Sequence, residues 1–450
     1  MTDILEGRLQ PPAHLTSTPT PSVAAITTVS ALDAVTKPRH RWYFFKEAFS
    51  PDVVDKAVAD AGCQPGDLVV DPFCGSGTVP LQAAFAGQPS VGREVNPFLA
   101  FVARAKLADC RVQPFQRAAD AVLASARRGM TSPLSTFSTF AEDSLQAQKQ
   151  EKWLFNRAVL ESFEGAWCAV GATKTASSLL VRLCLLGAAT DVSNATKDGK
   201  ALRYRSDWQN RAFGSDNFID AYLKRVDDVA ADLRVCPIDA KSSTIRLGDS
   251  RKGAPSEKFK LCVTSPPYLN SFDYTDVYRP ELFLGKWVNS MEQLRALRLR
   301  TLRSHVQVHW PDPTEDDFGT HYREIVEQLR AAKSSLWNAR IPVMVQAYFQ
   351  DIRHVLKKLR AAARDDASLW LVVSTSAYGG VEIPVDLIIA DIGSKCGWYL
   401  REVSVLRHLG RVAGQQWKEL SEKKENSSPH LRESVVILDA APKAGMRQHP

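Results

Sequence analysis

Residues 71–78 read DPFCGSGT, and their surroundings constrain the fold more than any other feature of the 450-residue chain. An apolar run at 68–71 leads into them. A helical pattern at 79–86 leads out and is closed by Gly87. Gly75 and Gly77 let backbone N–H groups come close to a ligand, at a helix N-terminus that adds positive potential. Pro80 suits the first turn of that helix. A second strand at 90–94 and a second helix at 98–108 follow at once. This alternation predicts a parallel α/β sheet, with a ligand crevice at the C-terminal ends of its strands.

The same turn excludes two nucleotide readings. It has no G-K-[ST], so it is not a phosphate loop of the NTPase kind. It also lacks the third glycine of a dinucleotide fingerprint, because Pro80 stands there. Glu94, ending the second strand, is placed to bond ribose hydroxyls. The pattern suits an adenosine-bearing ligand without a pyrophosphate.

A second feature lies far downstream. Residues 263–268 read VTSPPY, after an apolar strand pattern at 260–263. Proline cannot donate to a sheet ladder, so the strand stops there. At the end of a strand in such a sheet, Ser265, Pro266, Pro267 and Tyr268 face the crevice. Their chemistry fits methylation of an exocyclic amino group. That nitrogen is a poor nucleophile, because its lone pair is delocalised into the ring. Two acceptors on its N–H groups, Ser265 Oγ and the Pro266 carbonyl, favour a pyramidal nitrogen with its lone pair aimed at a methyl donor. Tyr268 offers a stacking face to a base, and a base within a duplex must be flipped out to reach it.

DPFCGSGT followed by TSPPY resembles the amino-methylating DNA methyltransferases, which modify cytosine N4 or adenine N6 with S-adenosylmethionine. The resemblance implies a Rossmann-like class I methyltransferase, with a seven-stranded, mostly parallel sheet, its last strand antiparallel, and helical insertions. It implies cofactor contacts at Phe44, Phe45, Lys46, Asp71, Pro72, Phe73, Gly75, Ser76, Gly77, Thr78, Glu94, Asn96 and Asp249. Serine at the first catalytic position is usual for cytosine-N4 members, and Asp or Asn for adenine-N6 members. The implied function is cytosine-N4 methylation of a specific site in double-stranded DNA. Adenine-N6, an RNA or protein-glutamine substrate, and an inactive nucleic-acid-binding module stand as alternatives. A cognate restriction endonuclease or defence-system component is an implied partner. The stretch KDGKALRYR at 197–205 is similar to members of this family too, with no role assigned.

The rest of the chain is read by composition and pattern. Residues 1–37 contain a Pro-, Thr- and Ser-rich, nearly uncharged run and are expected to be a disordered tail. Residues 38–450 are expected to form the catalytic domain, with a helical insertion at 111–240 and an Arg-rich helical segment at 280–340. Within 295–310, Arg295, Arg298, Arg300 and Arg303, with His305 and Trp310, are candidates to meet DNA, against a reading in which Leu294, Leu297 and Leu302 face the core and the arginines are merely solvated. The polar loop at 410–432, with Arg411, Lys418, Lys423 and Lys424, is a second basic candidate. Net charge is +7, which permits a polyanionic partner. Eight cysteines without a C-x-x-C pair read as reduced, mostly buried thiols of a cytoplasmic protein, with no metal. The best apolar run, 178–189, is short and broken by Arg182, so no membrane span is expected.

Overall fold

The computed structural model describes residues 31–198, 201–253, 255–409 and 431–442. Among the described residues, eleven strands run in chain order: β1 (Val69–Asp71), β2 (Ser90–Glu94), β3 (Ala195–Asp198), β4 (Ala201–Tyr204), β5 (Ser243–Leu247), β6 (Phe259–Thr264), β7 (Ala363–Ser374), β8 (Ser376–Tyr378), β9 (Val381–Ile383), β10 (Tyr399–His408) and β11 (Arg432–Asp439). Seven form one sheet in the order β10-β11-β7-β6-β1-β2-β5. The β1–β2, β1–β6, β2–β5 and β6–β7 pairs are parallel, while β11 runs antiparallel to both β7 and β10. The seven-stranded, mostly parallel, Rossmann-like sheet with an antiparallel last strand is therefore present.

The central strands are buried on both faces, as parallel strands flanked by helices must be. Their side chains alternate between two cores. Val69, Leu261, Val263, Trp370 and Val372 pack with the helices Pro51–Asp60 and Thr78–Phe85. Val70, Cys262, Leu369, Leu371 and Val373 pack on the other side, against residues of Thr320–Ala331, Ile341–Ala362 and Val385–Lys395. A third core lies among the helices between Val112 and Val235.

Local readings differ from the structure in instructive ways. Within the expected helical insertion, the stretch 112–128 is two helices, Val112–Asp120 and Leu123–Arg128. Further along the insertion, the helix Leu145–Gln150 ends where Glu151 turns left-handed at φ 51°, and a new helix begins at Arg157. The apolar run 178–189 lies inside the helix Ala176–Asp191, buried against Ser215–Val235. No helix among the described residues is long and apolar enough to cross a membrane. Part of the stretch KDGKALRYR forms the β3–β4 hairpin, where Lys197 pairs with the buried Glu281.

Order also begins earlier than the expected tail boundary. Ala31–Val35 forms a short 3-10 turn, with Ala34 buried. Asp33 Oδ2 accepts from Ser50 Oγ at 3.1 Å, and Ser50 is the N-cap of Pro51–Asp60. The tail is thus tied to a helix start up to its last few residues. Residues 1–30 and 410–430, which hold the rest of the tail and nearly all of the basic loop, lie outside the described residues.

Candidate active site

The C-terminal ends of β1, β2, β5 and β6 converge on one cleft with an empty volume of about 910 Å³, part of it open to solvent. That is the scale of a site for a cofactor and a small group beside it. Asp71, Pro72, Phe73, Cys74, Gly75, Ser76 and Thr78 line it from the glycine turn. Glu94, Val95 and Asn96 come from the end of β2, Asp249 and Ser250 from beyond β5, and Ser265 and Pro267 from beyond β6.

The near wall is organised by two carboxylates. Asp71 Oδ1 accepts from the Phe73 backbone N–H at 2.9 Å and from Thr264 Oγ1 at 2.7 Å. Glu94 Oε2 accepts from the Gly75 N–H and Oε1 from the Asn96 N–H, each at 2.8 Å. Glu94 thus holds the glycine turn open from the neighbouring strand. Burial pushes both carboxyls up to about 7, and for Asp71 the nearby Glu94 adds to the effect. Lys106 sits behind the turn, 3.4 Å from Ser76 Oγ, its ammonium lowered to about 7 by burial.

Asn96 caps the next helix, its Oδ1 accepting from Phe98 N at 3.0 Å. Its Nδ2 is buried with no partner while the residue lines the cleft. A donor in that position is costly to leave unmade and marks a place for a ligand acceptor.

The two glycines do different work. Gly75 is left-handed at φ 52°, and a Cβ there would meet the Phe45 ring at 3.2 Å, on the cleft surface. Gly77, at φ 89°, is pressed against Ala103, where a Cβ would come within 2.8 Å. Sequence reasoning gives Gly77 to the ligand; in the structure it allows the turn to pack on the helix Pro97–Lys106, and it does not line the cleft.

Other expected contacts are redistributed. Phe45 lines the cleft, but Phe44 and Lys46 are exposed and do not. Their place is taken by Glu47, Ala48 and Phe49. Asp249 does reach the cleft, with its carboxylate held by Arg251, whose Nη2 donates at 2.9 Å and whose Nη1 lies 3.1 Å from Asp351. Pro266 is buried and, like Tyr268, absent from the lining. Tyr268 instead donates its hydroxyl to Glu433 on β11. The aromatic that lines the cleft beyond Ser265 is Tyr274, stacked edge-on against Phe272 at 4.4 Å, with Thr275 next to it.

The Arg-rich segment divides. Leu294, Leu297 and Leu302 are buried, as a core-facing helix requires. Arg298 pairs with Asp273 at 2.5 Å. Arg303 is buried and clamps Asp351 at 2.8 Å, and His305 and Trp310 are buried as well. These four are committed inside the protein, so they are withdrawn as nucleic-acid contacts. Arg295 and Arg300 are exposed, and Arg300 with Thr301 and Leu302 lines the cleft. Sequence reasoning missed Glu47, Tyr274 and Thr301; the Asp273 cap of a short helix, with aromatics on both sides, was the available signal for Tyr274.

The cysteines are less uniformly buried than expected: Cys74, Cys184 and Cys262 are buried, Cys168 is exposed and the others are intermediate. Burial keeps Cys74 and Cys262, beside the two motifs, as neutral thiols.

Residues 40–153 match the family model described as UPF0020, RMKL-like, methyltransferase domain. Among curated relatives, the type II methyltransferase M.AvaI of Nostoc sp. strain PCC 7120 is 24% identical over 414 residues, spanning 82% of this chain and 81% of its own. The type II methyltransferase M.BsoBI of Geobacillus stearothermophilus is 23% identical over 432 residues, 84% of this chain and 82% of its own. The solved rRNA methyltransferase aviRa of Streptomyces viridochromogenes overlays on 89% of each chain at 11% identity with a TM-score of 0.27, too loose a likeness to bear on the site. The sheet, the cleft at its strand ends and the matched methyltransferase domain describe an S-adenosylmethionine-dependent methyltransferase.

Proposed function

We propose that this protein methylates the exocyclic N4 amino group of a flipped-out cytosine within a specific site of double-stranded DNA. The observation that carries the reading is that Ser265 and Pro267 open into the same cleft as Asp71, Gly75 and Glu94, although about 185 residues separate the two motifs. S-adenosylmethionine, when bound, supplies a methyl group on a cationic sulfur. The near wall fits that group. Asn96 Nδ2 offers an unused donor, Glu94 and Asp71 suit ribose hydroxyls and positive charge, and Phe45, Phe49 and Leu99 are apolar walls.

The far wall would act on the base. Ser265 Oγ and the Pro266 carbonyl accept from the two N–H bonds of the amino group, which turns the nitrogen lone pair outward for attack on the methyl carbon. The carbon–sulfur bond breaks as the carbon–nitrogen bond forms, and the nitrogen then releases a proton to solvent. Preorganised acceptors of this kind act without reorganising during the reaction. No protein nucleophile is needed, consistent with the neutral thiols of Cys74 and Cys262.

Serine at position 265 favours cytosine over adenine. The exposed Arg300, which lines the cleft, and the exposed Arg295 five residues before it suit phosphate contacts. The relatives' class favours a site-specific modification role, with a cognate endonuclease or defence component as partner. The test is incubation of the protein with S-adenosylmethionine and DNA, followed by mass spectrometry of the digested nucleosides. N4-methylcytosine is the expected product. N6-methyladenine alone would overturn the base assignment, and no methylated base would overturn the substrate.

A further inference from the structure

The stretch KDGKALRYR has no part in the chemistry described so far, yet its first residue reaches the wall of the cleft through one intermediary pair. Lys197, on β3, turns its ammonium inward and is 17% exposed. It pairs with the fully buried Glu281 and donates to the Tyr43 hydroxyl at 2.8 Å. Tyr43 donates in turn to Glu281 Oε1 at 2.6 Å, and Thr190 Oγ1 donates to the same oxygen at 3.1 Å. The ammonium also stands over the Tyr278 ring, 4.8 Å from its centroid, close enough for a cation–π attraction.

Tyr278 carries the line onward. Its ring packs on Phe45 at 5.4 Å and on Phe98 at 5.9 Å. Its hydroxyl donates to Glu47 Oε2 at 2.7 Å, and Glu47, like Phe45, lines the cleft. Each link is a direct contact: Lys197 on Tyr278, and Tyr278 on Glu47.

Glu47 is used differently from the other carboxylates of the lining. Asp71 accepts from Phe73 and Thr264, Glu94 from Gly75 and Asn96, and Asp249 from Arg251. Glu47 takes one hydrogen bond from another residue, that of Tyr278, whereas a carboxylate has about four acceptor sites. Burial raises the Glu47 carboxyl, and the Tyr278 bond and Lys197 work against that rise. S-adenosylmethionine carries, besides its sulfonium, an α-ammonium with three N–H donors. That group matches the acceptor capacity left on Glu47.

We propose that Glu47 receives the α-ammonium of S-adenosylmethionine, and that Lys197 is a positioning residue that holds Tyr278, and through it Glu47, in place for that contact. The inference concerns the cofactor alone and stands whichever base is methylated. It gives the β3–β4 hairpin a task, since the insertion reaches back to complete the cofactor wall.

The test is binding, read by titration calorimetry with two probes. S-adenosylhomocysteine carries the α-ammonium; 5′-methylthioadenosine has the adenosine and the sulfur without the amino-acid end. Glu47→Gln should weaken the first at least about tenfold and leave the second unchanged. Tyr278→Phe keeps the ring under Lys197 and removes only the hydroxyl; it should show the same selective loss to a lesser degree, as should Lys197→Met. In the Tyr278→Phe background, Lys197→Met should cost no further affinity for S-adenosylhomocysteine, because the link to Glu47 is already cut. A lysine that only neutralises Glu281 would lower the melting temperature and leave the preference between the probes unaltered. Should Lys197→Met fold poorly, Lys197→Met with Glu281→Leu removes both buried charges together and should shift the preference in the same way. Equal weakening of both probes by Glu47→Gln, or native affinity for S-adenosylhomocysteine, would overturn the ammonium contact. A native preference without Lys197, or an undiminished Lys197→Met effect without the Tyr278 hydroxyl, would overturn the positioning role. If the native protein binds neither probe, the cofactor is lost from the cleft, and this inference with it.

Discussion

The two walls of the cleft are fastened on different scales of sequence. On the near wall, Phe73 bonds Asp71 and Asn96 bonds Glu94 two residues apart, and Gly75 bonds Glu94 nineteen residues apart. On the far wall, Arg303 reaches Asp351 over 48 residues and Tyr268 reaches Glu433 over 165. Backbone N–H groups do most of the holding on the near wall, whereas side-chain charges hold the far one. The near wall is therefore nearly complete once two adjacent strands pair. The far wall exists only when the whole sheet has closed. Substitutions on the near wall should register as altered cofactor binding, and those on the far wall as altered stability or rate.

The hardest break in that division should come from Arg303→Ala. It leaves Asp351 buried with only Arg251 beside it. Breaking a buried pair costs about 3–5 kcal/mol, with the lower end expected while Arg251 remains. Chemical denaturation should read this loss, and the salt dependence of DNA binding should not change. A flattened salt slope with native stability would return Arg303 to the nucleic-acid surface. Next in size is Ser265→Ala. Loss of one acceptor aimed at the reacting nitrogen should remove about 2–4 kcal/mol of transition-state stabilisation, or at least about thirtyfold in turnover. Calorimetry should find cofactor affinity retained. An equal loss of affinity would mean that the walls are not separable.

A smaller effect is expected on the near wall from Asn96→Ser. Serine keeps the helix cap, so stability should stay within a few tenths of a kcal/mol. The buried Nδ2 donor is lost, and cofactor affinity should drop about tenfold. A lowered melting temperature with unchanged affinity would make Asn96 a cap and nothing more. The mildest expectation concerns pH. Burial raises Glu94 to about 7, so the folded protein holds a proton there that the unfolded chain would release. On the proposed reading, its ionised form is the one that would accept from ribose hydroxyls and attract a cation. Affinity should therefore weaken as pH falls, by about fivefold over the first unit below neutrality for one coupled proton. Glu94→Gln should flatten that slope, and titration calorimetry at several pH values would show whether it does.

The near wall was legible because its chemistry is contiguous. A strand, two glycines and an acid ending the next strand are read directly from 71–78 and 94, and the backbone geometry they demand leaves little choice. Even there, Gly77 was misread, because the sequence shows a missing side chain but not what fills the space, here Ala103. The far wall was half legible. Ser265 and its prolines announce themselves, yet nothing local distinguishes Arg303 from Arg300. One is buried on Asp351 and the other is open to the cleft, and the difference is made by a helix 48 residues later. The hairpin of β3 and β4 was missed for a similar reason, since four-residue strands carry too few alternations to stand out among long helices.

Strand β11 enters the sheet between β7 and β10, both of which precede it in the chain. During synthesis on a ribosome, a nascent chain that has reached β10 still has a vacant slot in its sheet. The parallel strands β6 and β7 are ready on one side, but the slot, antiparallel to both β7 and β10, can be filled only after residue 439 has emerged. Glu433 travels in that same segment. Tyr268, made long before, would thus find its hydrogen-bond partner only after β11 has been made. A translation product truncated before β11 would carry a whole near wall while Tyr268 still lacked its anchor.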